Sequence, residues 1–209
     1  MTESETFRQQ FKQHHSKESA DTLMLSNIAH LERLMKLLPP NARGLEIGCF
    51  KGGATVWFLE HGIERMTVID TFEGSPEHQN IVKPGEIRAA FDEAVKPYAG
   101  RVAVSKGKSS MRLPILLQGN HSGLRKTAPT LYDFIYVDGS HDSVDVVLDA
   151  ILAFKLLKPG GVMCFDDYEW CYYLDAFRNP KPAIDFFLAS HEGKFTLLEK
   201  HYQVSIRKL

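Results

Sequence analysis

The feature that most limits the fold of this chain is alternation, because short apolar runs and stretches of helical periodicity take turns along most of its length. Gly44 to Gly48, Met66 to Asp70, Val102 to Ser105, Tyr132 to Asp138 and Gly161 to Asp166 read as strands. Helical patterns occupy Ala54 to His61, Glu86 to Tyr98, Ser143 to Leu157 and a stretch around Pro182 to His191, with Gly62, Gly100 and Pro159-Gly160 as stops. An earlier packing helix carries Leu23, Ile28, Leu31, Leu34, Met35 and Leu38 on one face and ends at Pro39-Pro40. Strand, helix, strand in succession needs crossover connections, so the sheet is parallel and covered on both faces. The end of the chain differs: only Lys200 and His201 separate Phe195 to Glu199 from Tyr202 to Arg207, which makes those strands an antiparallel pair. The expected fold is therefore α/β, a doubly wound, seven-stranded, mostly parallel sheet with helices on both faces and a C-terminal antiparallel hairpin.

A single domain over 1–209 accommodates this pattern, with 1–22 as an N-terminal tail or lid and 23–209 as the core. No internal repeat or Pro, Gly or Ser-rich linker divides it, and Thr71 to Gly85 reads as a loop over a site. Lysine plus arginine (25) nearly cancels aspartate plus glutamate (26), leaving no field to hold a nucleic acid or an anionic membrane. No apolar run reaches the roughly 18 residues of a spanning helix, and MTESETFRQQ lacks the apolar centre of a signal peptide, so a cytoplasmic location is expected. Cys49, Cys164 and Cys171 are odd in number and form no C-x-x-C pair, which argues for reduced thiols and against a zinc site.

The chemistry starts at the first strand-to-helix turn, Leu45-Glu46-Ile47-Gly48-Cys49-Phe50-Lys51-Gly52-Gly53. Such a turn brings backbone amides close to a ligand at a helix N-terminus. A dinucleotide fingerprint would need a bare glycine where Phe50 stands, and a phosphate loop would need lysine and a hydroxyl where Ala54-Thr55 stand. What remains is E-x-G-x-x-x-G, suited to a ligand with an amino group, a ribose and a sulfonium. The second strand ends in Asp70, an acid able to accept from both ribose hydroxyls.

Taken with Val68-Ile-Asp-Thr-Phe72, Asp133-Phe-Ile-Tyr-Val-Asp-Gly-Ser-His141 and Leu157-Lys-Pro-Gly-Gly-Val162, the chain from about residue 23 onward resembles the class I S-adenosylmethionine-dependent methyltransferases, with a Rossmann-like fold. The resemblance implies that Glu46, Gly48, Phe50 and Gly52 hold the aminocarboxypropyl end of S-adenosylmethionine. It further implies that Asp70 holds the ribose and that Thr71, Phe72, Lys108 and Ser109 frame the adenine. The family commonly has an acid where Lys108 stands. A homo-oligomer is also an expectation of the resemblance.

Asp138 closes the fourth strand and Asp166-Asp167 the fifth, and neighbouring parallel strands lie about 4.8 Å apart. Crowded carboxylates repel one another unless their pKa values rise or a cation joins them, and a hard ion such as Mg²⁺ answers that need. The competing reading has Asp138 at the sulfonium end of the cofactor while Asp166 and Asp167 cap the following turn. His141, three residues past Asp138, stands at the mouth of the same crevice and can take a proton from a hydroxyl. His78 falls in the loop above it. Tyr168, Trp170, Tyr172 and Tyr173 either wall an acceptor pocket or form a core cluster.

Asp-Gly-Ser-His with Phe-Asp-Asp-Tyr is similar to the metal-dependent sugar O-methyltransferases of the macrocin and mycinamicin type. That likeness implies Mg²⁺ held by Asp138, Asp166 and Asp167, and His141 as the base. The expected reaction is in-line displacement of the sulfonium methyl by a hydroxyl of a small molecule, a sugar or natural product, leaving S-adenosylhomocysteine. Three alternatives stay open: a metal-independent N- or protein methyltransferase, a catalytically silent S-adenosylmethionine-binding module, and, disfavoured by Phe50, a nicotinamide-dependent oxidoreductase.

Overall fold

The computed structural model describes residues 21–75, 83, 85–119 and 131–209, with side chains from residue 27 onward. Most of the expected tail or lid, and His78, lie outside these residues. In chain order the elements are α1 (Asp21–Met35), β1 (Ala42–Ile47), α2 (Gly53–Glu60), β2 (Ile63–Asp70), α3 (Glu86–Val95), β3 (Val102–Lys106), α4 (Ser109–Gln118), β4 (Tyr132–Val137), α5 (Ser143–Leu156), β5 (Leu157–Phe165), α6 (Pro180–Ser190), β6 (Phe195–Lys200) and β7 (Val204–Lys208). Short 3₁₀ turns cover Lys96–Tyr98 and Ala176–Arg178.

The strands form a seven-stranded sheet in the order β3-β2-β1-β4-β5-β7-β6. β1 through β5 pair in parallel, and β7 runs antiparallel to both β5 and β6. The expected architecture is present. Period-two alternation sorts side chains between two cores. Leu45, Ile47, Ile135, Val137, Met163 and Phe165 pack against α5 and α6. Phe134, Tyr136, Met66, Val68 and Cys164 pack under α1, α2 and α3. Every residue of β4 is buried, as a strand covered on both faces requires.

α4 is a helix that the sequence pattern did not single out, because Pro114 stands inside it and removes a backbone donor. Leu113 nonetheless anchors it in the core. β5 starts earlier than expected, directly after α5, with a register shift against β4 between Tyr132 and Phe134. The terminal hairpin has a connection longer than two residues. Tyr202 and Gln203 leave the ladder to bond Asp167 and Tyr136, so β7 begins at Val204.

The winding direction reverses between β1 and β4, which opens a crevice at their carboxyl ends where α/β sheets bind ligands. The two strand tips approach so closely that a Cβ on Gly48 would lie 1.9 Å from the Asp138 carbonyl oxygen, and Gly48 has φ +82°. Only glycine fits there.

Candidate active site

The glycine turn is held from below by Asp70. Its Oδ2 accepts from the amides of Cys49 (2.7 Å) and Phe50 (2.9 Å), and its Oδ1 accepts from the amide of Phe72 (2.6 Å). The carboxylate predicted to meet a ribose is thus already engaged by three backbone donors. Phe50 takes φ 44°, the left-handed conformation that glycine adopts in dinucleotide turns. Gly52, at φ +90°, precedes α2, and a Cβ there would come within 3.0 Å of the Phe91 ring.

Glu46 is 0% exposed, beneath the turn. The Thr55 hydroxyl donates to its Oε2 at 2.5 Å, while Oε1 has no hydrogen-bond partner. Burial pushes its pKa up to about 8, opposed by the Thr55 bond and reinforced by the Asp70 charge. At neutral pH the group is largely protonated.

Thr71 accepts from the amide of Glu73, closing the turn after β2. Phe72 is buried, with its ring 5.3 Å from that of Phe91 and the Arg88 guanidinium 4.8 Å from its centroid. It braces α3 against the strand tip. Lys108 and Ser109 stand at the start of α4, with Lys108 exposed and Ser109 half-buried. The loop before them is joined to β2 by the Gly107 amide bonding the Asp70 carbonyl at 2.8 Å.

At the other side of the crevice the acids separate into two groups. His141 Nε2 lies 2.8 Å from Asp167 Oδ2, and the Tyr202 hydroxyl donates to Asp167 Oδ1 at 2.8 Å. Among the described residues, Asp138, His141 and Asp167 form a possible metal-holding group, with donor atoms within 4.8 Å of one another. Asp166 does not join it. Its Oδ2 accepts from the buried Tyr136 hydroxyl and its Oδ1 from the Asp167 amide, and Gln203 donates to the same Tyr136 oxygen at 3.1 Å. Of the three aspartates expected to hold an ion, Asp138 and Asp167 fall in this group together with His141, while Asp166, one residue past β5, is engaged by Tyr136 and the Asp167 amide.

Burial raises the Asp138 pKa well above the ordinary value, and the charges of Asp166 and Asp167 add to this against His141. Asp167 goes the other way. Burial would raise it, but the His141 charge and hydrogen bonds from His141, Tyr202 and the Asp138 carboxyl together lower it. Burial thus favours the neutral form of Asp138, while His141 and the hydrogen bonds around Asp167 favour its charged form. Asp166 is raised by burial and by Asp167, against the bonds from Tyr136, the Asp167 amide and Gln203.

Carboxylates are hard oxygen donors, so Asp138 and Asp167 fit a divalent ion such as Mg²⁺; the imidazole beside them also suits softer ions. His141 lies 4.4 Å, centroid to centroid, from the buried Trp170 ring, which in turn contacts Tyr172 and Tyr173. Tyr168 points elsewhere, donating to Asp185. Of the four aromatics, three cluster by the histidine. A small cavity at the group is lined by Asp138, His141, Asp166 and Asp167 with Val146 and Ile184 among its apolar walls.

Fold and site together define a doubly wound α/β protein with an Asp-His pair at the carboxyl ends of its central strands. Its structural likenesses lie among methyltransferases. The O-methyltransferase TomG of Streptomyces achromogenes, solved with S-adenosylmethionine, matches with a TM-score of 0.60 at 18% identity, over 100% of this chain and 91% of that one. The TDP-rhamnose 3'-O-methyltransferase of calicheamicin biosynthesis matches with a TM-score of 0.59 at 18% identity, over 89% and 79%. MycE of the mycinamycin pathway, solved with Mg, S-adenosylhomocysteine and mycinamycin VI, matches with a TM-score of 0.57 at 14% identity, over 87% and 48%. At these identities the likeness is one of fold. A methyltransferase-domain family model matches residues 45–168. The chain belongs to that methyltransferase family. An uncharacterized protein of Acanthamoeba polyphaga mimivirus is 26% identical over 159 residues, 73% of this chain, and the chain spans 62% of that relative's length. No helix among the described residues is long and apolar enough to cross a membrane.

Proposed function

We propose that this chain transfers the methyl group of S-adenosylmethionine to a hydroxyl of a small molecule, with His141 as base and a divalent ion, most simply Mg²⁺, beside it. The observation that carries this reading is the 2.8 Å contact between His141 Nε2 and Asp167 Oδ2, set at the switch point next to the glycine turn. Asp167 accepting from Nε2 fixes the tautomer whose lone pair is on Nδ1, the atom that receives the hydroxyl proton. Trp170 holds the plane of the imidazole. Asp70 and Gly48 shape the turn against which the nucleoside and its aminocarboxypropyl arm lie. Asp138 and Asp167 would hold the ion, which when bound would lower the pKa of an acceptor hydroxyl. The chain's own contribution is then to align the hydroxyl with the sulfonium methyl and to remove one proton.

A second reading draws on the opposite pKa shifts of Asp138 and Asp167, which lessen the repulsion between the acids without an ion and suit a metal-independent transfer. Calorimetric titration with S-adenosylhomocysteine, followed by transfer assays on hydroxyl acceptors with Mg²⁺ or with a chelator, separates the possibilities. Binding with metal-stimulated transfer supports the proposal. Transfer indifferent to chelator leaves the second reading, binding without transfer leaves a silent module, and no binding overturns the cofactor assignment.

A further inference from the structure

α4, α5 and α6 lie in one layer against the sheet, with α5 in the middle touching both neighbours. Each of them joins two strands of the same direction, so the three helices run the same way. Their outward sides carry large apolar side chains at matching heights. Near the helix starts stand Met111, Val144 and, on the 3₁₀ turn before α6, Phe177; further along stand Ile115, Leu148 and Phe186. Met111 and Ile115 are four positions apart, as are Val144 and Leu148, so each pair shares a helix face. The bond from Arg178 to Asp142, the N-cap of α5, at 2.9 Å ties the 3₁₀ turn to the start of α5 and closes the band. The six side chains range from 37% exposed at Leu148 to 80% at Phe177. Among the described residues, the opposite layer of α1, α2 and α3 exposes one large apolar side chain, Leu37, just past the end of α1.

Side chains of this size, more than half exposed on average, leave roughly 650 Å² of apolar surface in water. That exceeds the roughly 300 to 600 Å² of the largest patch on an ordinary monomer. It approaches the roughly 800 Å² that each partner contributes to a stable complex. The charges around the band are already matched within the chain: Arg178 with Asp142, Lys181 with Asp185 at 2.6 Å, and the Arg112 guanidinium donating to the Lys106 carbonyl at 2.6 Å. Across a two-fold axis every group meets the same surface that bears it, and paired charges can do so without like-charge repulsion. A surface three helices wide is too broad for a single peptide, and its matched charges give an acidic or basic partner nothing to hold.

We propose that the band over α4, α5 and α6 is an isologous interface on which a second copy of this chain docks. Asp142 directly follows His141, so the interface reaches the rim of the crevice. It holds whichever acceptor the crevice takes.

Sedimentation velocity of the full chain over about 0.1 to 100 µM should show a dimer at the upper end, because interfaces of this area hold at micromolar concentration or below. Val144→Asp, Ile115→Lys and Phe186→Lys each bury a charge without a partner and should raise the dissociation constant about tenfold or more. Val104→Lys and Leu197→Lys carry the same change onto the two edge strands, β3 and β6, and should leave the constant within about twofold. Circular dichroism of every variant should match the unsubstituted chain, since the substituted side chains already face water. An assembly larger than a dimer supports the proposal if the three band substitutions halve its mass and overturns it if they do not. A monomer at 100 µM, a dimer that those substitutions leave intact, or one that the edge-strand substitutions weaken equally also overturns it.

Discussion

Glu46→Gln tests the electrostatics beneath the glycine turn most directly, because the substitution keeps shape and an acceptor for Thr55 while removing the titration. Glu46 has a pKa near 4.5 in the unfolded chain and about 8 in the fold, raised chiefly by burial. Below pH 4.5 both states are protonated and the group costs nothing. Between 4.5 and 8 the folded state keeps a proton that the unfolded chain has lost, so stability falls as pH rises. At about 1.4 kcal/mol per pH unit over that span, the cost reaches about 5 kcal/mol above pH 8. Glutamine carries no such cost, so any penalty of its own is independent of pH. Urea denaturation of both proteins at pH 5, 6, 7 and 8.5 should show Glu46→Gln gaining on the unsubstituted protein by several kcal/mol across the series, since every other titrating group cancels in the difference. Two stability curves that stay parallel within about 1 kcal/mol would refute the reasoning and put a charged, solvated carboxylate beneath the turn.

The other expectations concern the strand tips. His141→Ala should lower turnover by about 10² or more with S-adenosylhomocysteine affinity little changed; unchanged turnover removes the histidine from the chemistry. Asp167→Asn should abolish metal-stimulated transfer, whereas Asp166→Asn should lower the melting temperature through the Tyr136 and Gln203 network and leave metal stimulation in place. The reverse pattern would return Asp166 to the metal group. Gly48→Ala should prevent folding or cost more than about 3 kcal/mol, because its Cβ would meet the Asp138 carbonyl, while Gly62→Ala, with nothing within 4 Å, should cost only the backbone strain of about 1 kcal/mol. Thermal melts of the two variants decide it.

Much of the scaffold could be read from the sequence because its signals were local. A buried strand such as Tyr132 to Val137 announces itself by an apolar run, and glycines mark the turn at Gly48 to Gly52 by themselves. α4 escaped because Pro114 masks a helix that only the tertiary contacts of Leu113 secure. The separate bonding of Asp166 was not legible, because its partner Tyr136 lies 30 residues earlier and Asp167 leaves the extended conformation just past β5. Phe72 read as a residue beside the base, yet the aromatic partner that draws it inward, Phe91, is far along the chain. Tyr202 and Gln203 carried no motif. Their roles arise where β7 inserts beside β5, and pairings of that range are set by the whole fold.

The backbone at Phe50, Phe72 and Asp167, with φ of 44°, 60° and 57°, has a meaning for sequence drift as well as for shape. Each bears a side chain in the left-handed region at a cost of order 1 kcal/mol, and the three stand at the carboxyl ends of β1, β2 and β5. Selection for thermal stability alone would turn them into glycines and make the chain a better-behaved but emptier scaffold. Among descendants of this sequence, glycine arriving at these three positions together would therefore record the release of the crevice from its task before any change at His141 did so.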